Sequence, residues 1–392
     1  MNKDFSTFVN LIAALLRSPR LLRRLVWLLV LLMAVWFLLG IGCQIVAESL
    51  WFNEVGYSQA LWVRLGTKVV LWSVVTGISL VWLLGNLRVA QRFKHPRNWK
   101  PTDWERAQPS TIPNPLAQPQ RGRVSRSFRW LLLLAVSLSS AIALLVFHYA
   151  QTVVTLWQVR ATQAETLLPV PDRFQLQSIW HLGKTLLESE APLIYGLTGL
   201  WIALVIALLI FPRLLLNAFA IALSVEFGLV LAANWSRILL FFHASPFKRA
   251  DPLFAKDIGF YIFLLPMWQL LEFWLIGLTA YSLLAVSLVY LLSGNSLSQG
   301  QLIGISEPQQ RHLCALGGCL LLVVGLGYWL SRYESLYSTQ GGVFGASYTD
   351  VWVNLPVCVG MALLAIAIAL LLFGYALPKN RLFAPPFPSS FF

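Results

Sequence analysis

Eight stretches of this chain are each about twenty residues long and almost wholly apolar. They are Leu25–Val46, Val69–Leu87, Trp130–Ala150, Leu193–Phe211, Leu214–Ala233, Met267–Leu292, Leu313–Leu330 and Pro356–Leu377. At about 1.5 Å of rise per residue, such a stretch crosses the hydrocarbon core of a bilayer. Hydrocarbon offers no water to an open peptide group, so a crossing segment must bond its own backbone and form a helix. The stretches are apolar all round rather than along one stripe, as buried or lipid-facing helices are. The expected fold is all-α: a polytopic transmembrane bundle of eight spans. Composition agrees, since only 11% of the 392 residues are charged and 58% are hydrophobic. A soluble domain carries about 25% charged residues. Pro212 and Arg213 alone separate the fourth and fifth stretches. A tight hairpin is expected there, because one unbroken helix would be about twice as long as the membrane is thick.

The net charge of +13 would point to nucleic acid in a soluble protein. Its distribution argues otherwise. Basic residues gather on the cytoplasmic side of membrane proteins. Placing the arm with Arg17, Arg20, Arg23 and Arg24 inside puts nineteen basic and four acidic residues on that face, and ten of each on the other. Glu226 and Glu272 fall within spans. The excess is the imprint of insertion, and no nucleic-acid partner is expected. An even span count places both termini in the cytoplasm. The first span is too long for a signal-peptide core and lacks a cleavage site, so it is expected to stay as an anchor.

Six regions follow: an amphipathic arm 1–24, a first span pair 25–87, a basic Pro-rich cytoplasmic loop 88–129, a span pair with an outer loop 130–211, a four-span region 212–377, and a tail 378–392. In the arm, Phe5, Phe8, Val9, Ile12, Leu15 and Leu16 share one helical face, which suits a helix on the inner membrane surface. The loop 88–129 lacks apolar periodicity. Its ten basic residues set topology and could also hold anionic headgroups. The loop 151–191 reads as short surface helices, with Trp157 and Trp180 at headgroup level.

Three denser segments mix aromatics with acids and glycine, and all fall on the outer face. They run from Trp51 to Tyr57, from Ala250 to Tyr261 and on to Pro266, and from Arg332 through Gly341, Gly342 and Gly345 to Asp350. Together with Trp62-Val-Arg64-Leu, Lys68 and Pro356, these strings resemble uncharacterised protein family 0182, large bacterial integral membrane proteins. The resemblance implies a bacterial inner (plasma) membrane, or a thylakoid if the source is cyanobacterial, and it implies no reaction. Family members continue into a further span and a large extracytoplasmic domain. That domain is therefore expected to be absent, truncated or carried on another chain. The span pair within 130–211 looks like an insertion against the shorter actinobacterial pattern.

Candidate chemistry is sparse. Glu226 is the one acid expected deep in a span, and such residues mark proton or ion paths when they are not simply protonated and bonded to a neighbouring helix. Asn217, two and a half turns earlier, lies on the opposite side of that helix. Glu272 is expected at the outer interface, as is His148. Among Cys43, Cys314, Cys319 and Cys358, a Cys43–Cys358 disulfide is chemically allowed on the outer face, and buried apolar thiols are the plainer reading. Gly317-Gly318 and Gly196/Gly199 read as close helix-packing positions. No zinc spacing, phosphate loop or nucleophile–base pair occurs, so no metal, cofactor or catalytic residue is assigned, and an enzyme is not expected. The outer-face candidates for interaction are Trp51, Glu54, Tyr57, Asp251, Asp257, Tyr261, Arg332, Glu334, Tyr348 and Asp350. Capping offers a plainer role for Asp257 and Asp350. The leading expectation is a structural or assembly anchor whose partners are the bilayer and an extracytoplasmic domain or a second membrane protein. The alternative is a transporter or channel using Glu226.

Overall fold

A computed structural model describes residues 19–93, 126–162, 191–293, 306–337 and 345–377. The elements among them are helical. They are α1 (Pro19–Glu54), α2 (Ser58–Arg92), α3 (Arg126–Thr162), α4 (Ala191–Ile210), α5 (Pro212–Ala233), α6 (Trp235–Phe242), α7 (Leu265–Ser293), α8 (Glu307–Glu334) and α9 (Leu355–Ala376). Among the described residues the one β pairing is an isolated antiparallel bridge between Ala250 and Asp257. Six segments are long and apolar enough to cross a membrane: Ser58–Arg92, Trp130–Leu156, Pro212–Ala233, Phe260–Leu292, Glu307–Tyr337 and Asp350–Ala376. They correspond to six of the expected spans. The other two fall in α1 and in α4, whose described apolar stretch is the shorter Trp201–Ile210.

The helices overrun the expected spans. Trp51 and Glu54 belong to the last turn of α1 rather than to a loop, and α3 runs on to Thr162. Hydropathy marks what hydrocarbon requires, whereas a helix ends only where its backbone finds other partners. Most of the arm, residues 94–125 of the basic loop, Trp180, Gly341, Gly342 and the tail 378–392 lie outside the described residues. The break between α4 and α5 sits at Phe211 (φ −120°, ψ 54°), and Pro212, with no N–H to leave open, opens α5.

Two single π-helical turns introduce α7 and α9: Phe260–Leu264 and Asp350–Asn354. Each is followed directly by Leu-Pro (Leu265-Pro266 and Leu355-Pro356). A proline inside an α-helix drives its ring against the carbonyl four residues back. Widening the preceding turn relieves that clash. The N–H of Leu265 accordingly bonds the carbonyl of Phe260, and that of Leu355 the carbonyl of Asp350, five residues back in each case.

The chain divides into two units, residues 1–68 and 69–392. In the first, α1 and the start of α2 flank a turn at Gly56, whose φ of +80° favours glycine. Arg64 pairs with Glu48 at 3.6 Å across that turn. In the second, α7 packs on α3, α5, α6 and α8; α3 packs on α4 and α5; and α8 packs on α9. Tyr149 of α3 lies at the centre, edge-on to Phe227 (5.0 Å) and Phe273 (4.9 Å), and donates to the carbonyl of Phe273 at 3.1 Å. Gly277 leaves the room that Tyr149 and Phe227 occupy.

Van der Waals packing, not hydrophobicity, drives helix association in lipid, so backbone proximity matters. Gly317, Gly318 and Gly325 of α8 face Leu372, Phe373 and Ile366 of α9, in keeping with the packing role expected of the Gly317-Gly318 pair. Gly199 does not repeat this: an added Cβ there meets nothing within 4 Å among the described residues. Spacing alone could not tell the two cases apart, because the face a helix turns to its neighbour is set by tertiary structure.

A Leu at Gly325 must displace Ile366 and the Ala362 carbonyl, only 3.2 and 3.3 Å from the added Cβ, whereas a Leu at Gly360 meets open space. Gly325→Leu should therefore cost about 1–3 kcal/mol and lower the unfolding temperature in detergent, while Gly360→Leu should leave it unchanged. Equal effects from the two would show that the α8–α9 contact does not stabilise the fold.

Candidate functional site

The second and third outer segments meet at the end of α7. Their hub is Asp251. Its Oδ1 accepts the N–H groups of Leu253 (2.8 Å) and Phe254 (2.7 Å), and its Oδ2 accepts the Lys256 N–H (3.0 Å) and the Tyr261 hydroxyl (2.7 Å). One side chain thus satisfies the tight turn 251–256, whose Ala255 is left-handed at φ +53°. Desolvation acts to raise the Asp251 pKa, but the bonds from Phe254, Tyr261, Lys256 and Leu253 together outweigh it and hold the carboxyl below its ordinary value. Asp257 caps the helical turn that follows, as its position before Ile258 led one to expect. Its Oδ1 accepts the N–H of Gly259 (2.7 Å) and of Phe247 (3.0 Å), and these bonds hold its pKa down.

Tyr261 then locks the loop onto α8. With Leu265, Leu330 and Tyr333 it forms a small buried cluster, lined by Phe254, Phe260, Leu326 and Leu336. The Tyr333 ring lies edge-on to Phe254 and Phe260, each at 5.0 Å. The Arg332 guanidinium stacks 3.6 Å from the Trp329 ring, faces Phe254 at 5.7 Å, and donates to the Tyr333 hydroxyl at 2.5 Å. Arg332 is thus held by rings and a hydroxyl, a mode suited to its flat, weakly hydrated cation. Glu334 accepts from Gln269 of α7 at 2.6 Å. Asp251, Tyr261, Arg332 and Glu334 all serve this one junction. Phe254, Gln269, Trp329 and Tyr333 are partners that the sequence did not single out: Phe254 and Tyr333 fall within the two aromatic-rich segments, whereas Gln269 and Trp329 lie outside them.

Asp350 is buried and stands at the start of the second π-helical turn. It forms a reciprocal box with Ser347: the Ser347 N–H (2.9 Å) and hydroxyl (2.7 Å) donate to Asp350 Oδ2, and the Asp350 N–H donates to the Ser347 hydroxyl (3.2 Å). Asn354 donates to its Oδ1 at 2.7 Å. Asp350 is therefore the inner partner of the box and Ser347 the cap. Tyr348 and Trp352 remain exposed, their rings 6.0 Å apart. In the first unit Trp51, Glu54 and Tyr57 are exposed, Trp51 edge-on to Phe52 at 4.9 Å.

The intramembrane candidates are rearranged by the fold. Glu226 is half-buried on α5, and its Oε2 has no hydrogen-bond partner among the described residues. Glu272 is the correction. It was expected at the outer interface, yet it is 3% exposed, turned between α7 and α8 against Gly327, where an added Cβ would clash with its carboxylate. Distance from a span's end does not reveal burial once a neighbouring helix covers that face. His148, also expected at the interface, is likewise buried, edge-on to Tyr149 at 5.3 Å. At the other end of α7, the Tyr290 hydroxyl lies 2.7 Å from His312 Nδ1, and His312 Nε2 lies 3.1 Å from Asn86 Oδ1, tying α2, α7 and α8 together. No disulfide forms: Cys43 is exposed and Cys314, Cys319 and Cys358 are half-buried, less covered than expected. Among the described residues no group of three or more His, Cys, Asp and Glu could hold a metal ion.

Six helices long and apolar enough to cross a membrane, packed through glycine and closed at one end by a polar–aromatic junction, give the chain an all-helical architecture of the kind suited to a bilayer. It belongs to the uncharacterised protein family UPF0182, whose model matches residues 25–388. It is 41% identical to a UPF0182 protein of Nostoc sp. over 354 residues, 87% of this chain and 35% of the relative. It is 37% identical to one of Trichodesmium erythraeum (87% of this chain, 33% of the relative) and 33% identical to one of Synechocystis sp. (84% and 33%). The chain thus spans about a third of the length of these cyanobacterial relatives. No solved structure matches it.

The Asp251 bonds give a pH dependence of definite sign. A carboxyl whose pKa is depressed on folding stabilises the loop fully above its ordinary value of 3.8, and that stabilisation is lost as pH falls through the folded pKa. Hydrogen-exchange protection across residues 251–258, taken relative to the intrinsic rate at each pH, should stay high at neutral pH and fall only below pH 3.8. In Asp251→Asn, which turns one acceptor into a donor, it should be low already at pH 7. Unchanged protection in that variant would remove Asp251 as the hub.

Proposed function

We propose that the chain is a membrane anchor that organises an ordered extracytoplasmic surface for a partner. In this reading it crosses the membrane eight times, with α1 and α4 as the two further spans and a hairpin at Phe211, and both ends lie in the cytoplasm. The membrane is the bacterial inner membrane, or the thylakoid of a cyanobacterium. The partner is an extracytoplasmic domain or a second membrane protein. The observation that carries the proposal is the junction of Asp251, Tyr261, Arg332 and Tyr333. Hydrogen bonds and ring contacts tie two outer segments together at this helix end, and the exposed ring of Tyr337 borders it, 6.2 Å from Tyr261. A surface fixed in advance loses little entropy when it binds. The length of the relatives supports the reading, since each carries about two further lengths of chain that such a surface would serve. No reaction is assigned.

One observation favours a second reading. An acid with an unbonded oxygen inside a span is costly, by roughly 2.5 kcal/mol or more, and Glu226 has such an oxygen. It would be the ion or proton site of a transporter.

One pair of variants separates the two. Under the anchor reading, Tyr333→Ala loosens the junction and should reduce co-purification of the partner from native membranes at least tenfold, while Glu226→Gln leaves it intact. Under the transport reading, Glu226→Gln abolishes solute or ion flux in proteoliposomes. Flux that depends on Glu226, with no partner retained by the unaltered chain, would overturn the anchor proposal.

A further inference from the structure

We propose that the loop from Phe242 to Lys256 is a binding site for the anionic headgroups of membrane lipids. The proposal rests on the membrane reading above and concerns the cationic face of the loop that leads into the junction. By sequence the loop looks nearly neutral, with Lys248, Arg249 and Lys256 set against Asp251 and Asp257. The fold separates the two signs. The carboxylate of Asp251 is committed to three backbone N–H groups and the Tyr261 hydroxyl, and that of Asp257 to two backbone N–H groups. All three cations are exposed, and none forms an ion pair among the described residues. An approaching anion therefore meets three exposed cations, Lys256 lying 5.8 Å over the Phe260 ring, with the acids occupied within the turns.

Apolar surface beside these cations selects the occupant. Phe242, at the end of the amphipathic helix α6, is 71% exposed, and Phe247 is 50% exposed. Phe247 stacks on Phe263 with centroids 6.0 Å apart, which fixes it beside the cations. Lys248, left-handed at φ +56°, makes the sharp turn that follows. A free phosphate or a soluble acidic protein has no use for two exposed rings beside the cations. A lipid does: its headgroup meets the cations, and its glycerol and upper acyl region meet the rings.

The test uses the full chain in phosphatidylcholine nanodiscs doped with photoactivatable phosphatidylglycerol or, in parallel, photoactivatable phosphatidylcholine. Adducts are mapped by mass spectrometry. The phosphatidylglycerol probe should label residues 242–256 in strong preference to the phosphatidylcholine probe. Each cation near an anionic surface contributes roughly fivefold. The combined variant Lys248→Gln, Arg249→Gln, Lys256→Gln should therefore lower that preference by about a hundredfold, with labelling along α9 unchanged as the control for folding. Equal labelling by the two probes, or a preference untouched by the triple variant, would overturn the proposal. Abolition of the preference by inorganic phosphate would overturn it in favour of a free-anion site. Loss of the preference when an acidic protein is retained on the loop would overturn it in favour of a protein partner. A chain that stays out of the nanodiscs would overturn it together with the membrane reading, which equal labelling would leave standing.

Discussion

An open peptide group has nothing to bond in hydrocarbon, and the architecture follows from how each backbone N–H and C=O is satisfied without water. Along the spans the helix does this by itself. The points of interest are where the helix must start, stop or bend, because there a side chain has to take over. Asp257 and Ser347 accept the first N–H groups of the turns leading into α7 and α9. Asp251 does the same for a turn with no helical ladder. The two π-helical turns solve the inverse problem, moving a carbonyl away from Pro266 and Pro356, which have no N–H to offer it.

These repairs share one end of the bundle, which explains why charged residues crowd there while the spans hold few. Once Asp251 has collected its four donors, Tyr261 is fixed by its own hydroxyl, and Tyr333, Phe254 and Phe260 pack around it. Arg332 is then placed among rings. A device that ends helices in a dry environment thereby builds a defined surface where the chain leaves it.

Much of the fold was legible because the membrane imposes a simple filter. Twenty apolar residues can do little except span, and the six apolar helices fall on segments marked by hydropathy alone. The Asp257 cap was legible for an equally local reason, since an acid one residue before a helix has a donor within reach. Asp350 was legible only in part: the acid was visible, but its box with Ser347 depended on where the helix starts. Glu272 was misread because its burial depends on α8 lying across it at Gly327, a contact that spacing along α7 does not encode. Among the described residues nothing approaches Gly199, and a small residue signals close packing only if a neighbour arrives. The ring contacts of Tyr333 belong to this class too, being set by two segments some seventy residues apart that meet only in three dimensions.

The central claim is that the junction at the end of α7 and α8 presents a surface which a partner covers in the cell. Hydroxyl-radical footprinting of tyrosines, in native membranes and in the purified chain, reads this directly. Tyr337 (57% exposed) borders the junction, 6.2 Å from Tyr261, Tyr348 (77% exposed) stands at the start of the turn into α9, and Tyr333 is buried within the junction. The account predicts strong oxidation of Tyr348 and Tyr337 in the purified chain and clear protection of both in native membranes, with Tyr333 protected in each. Equal oxidation of Tyr348 and Tyr337 in the two preparations would contradict it.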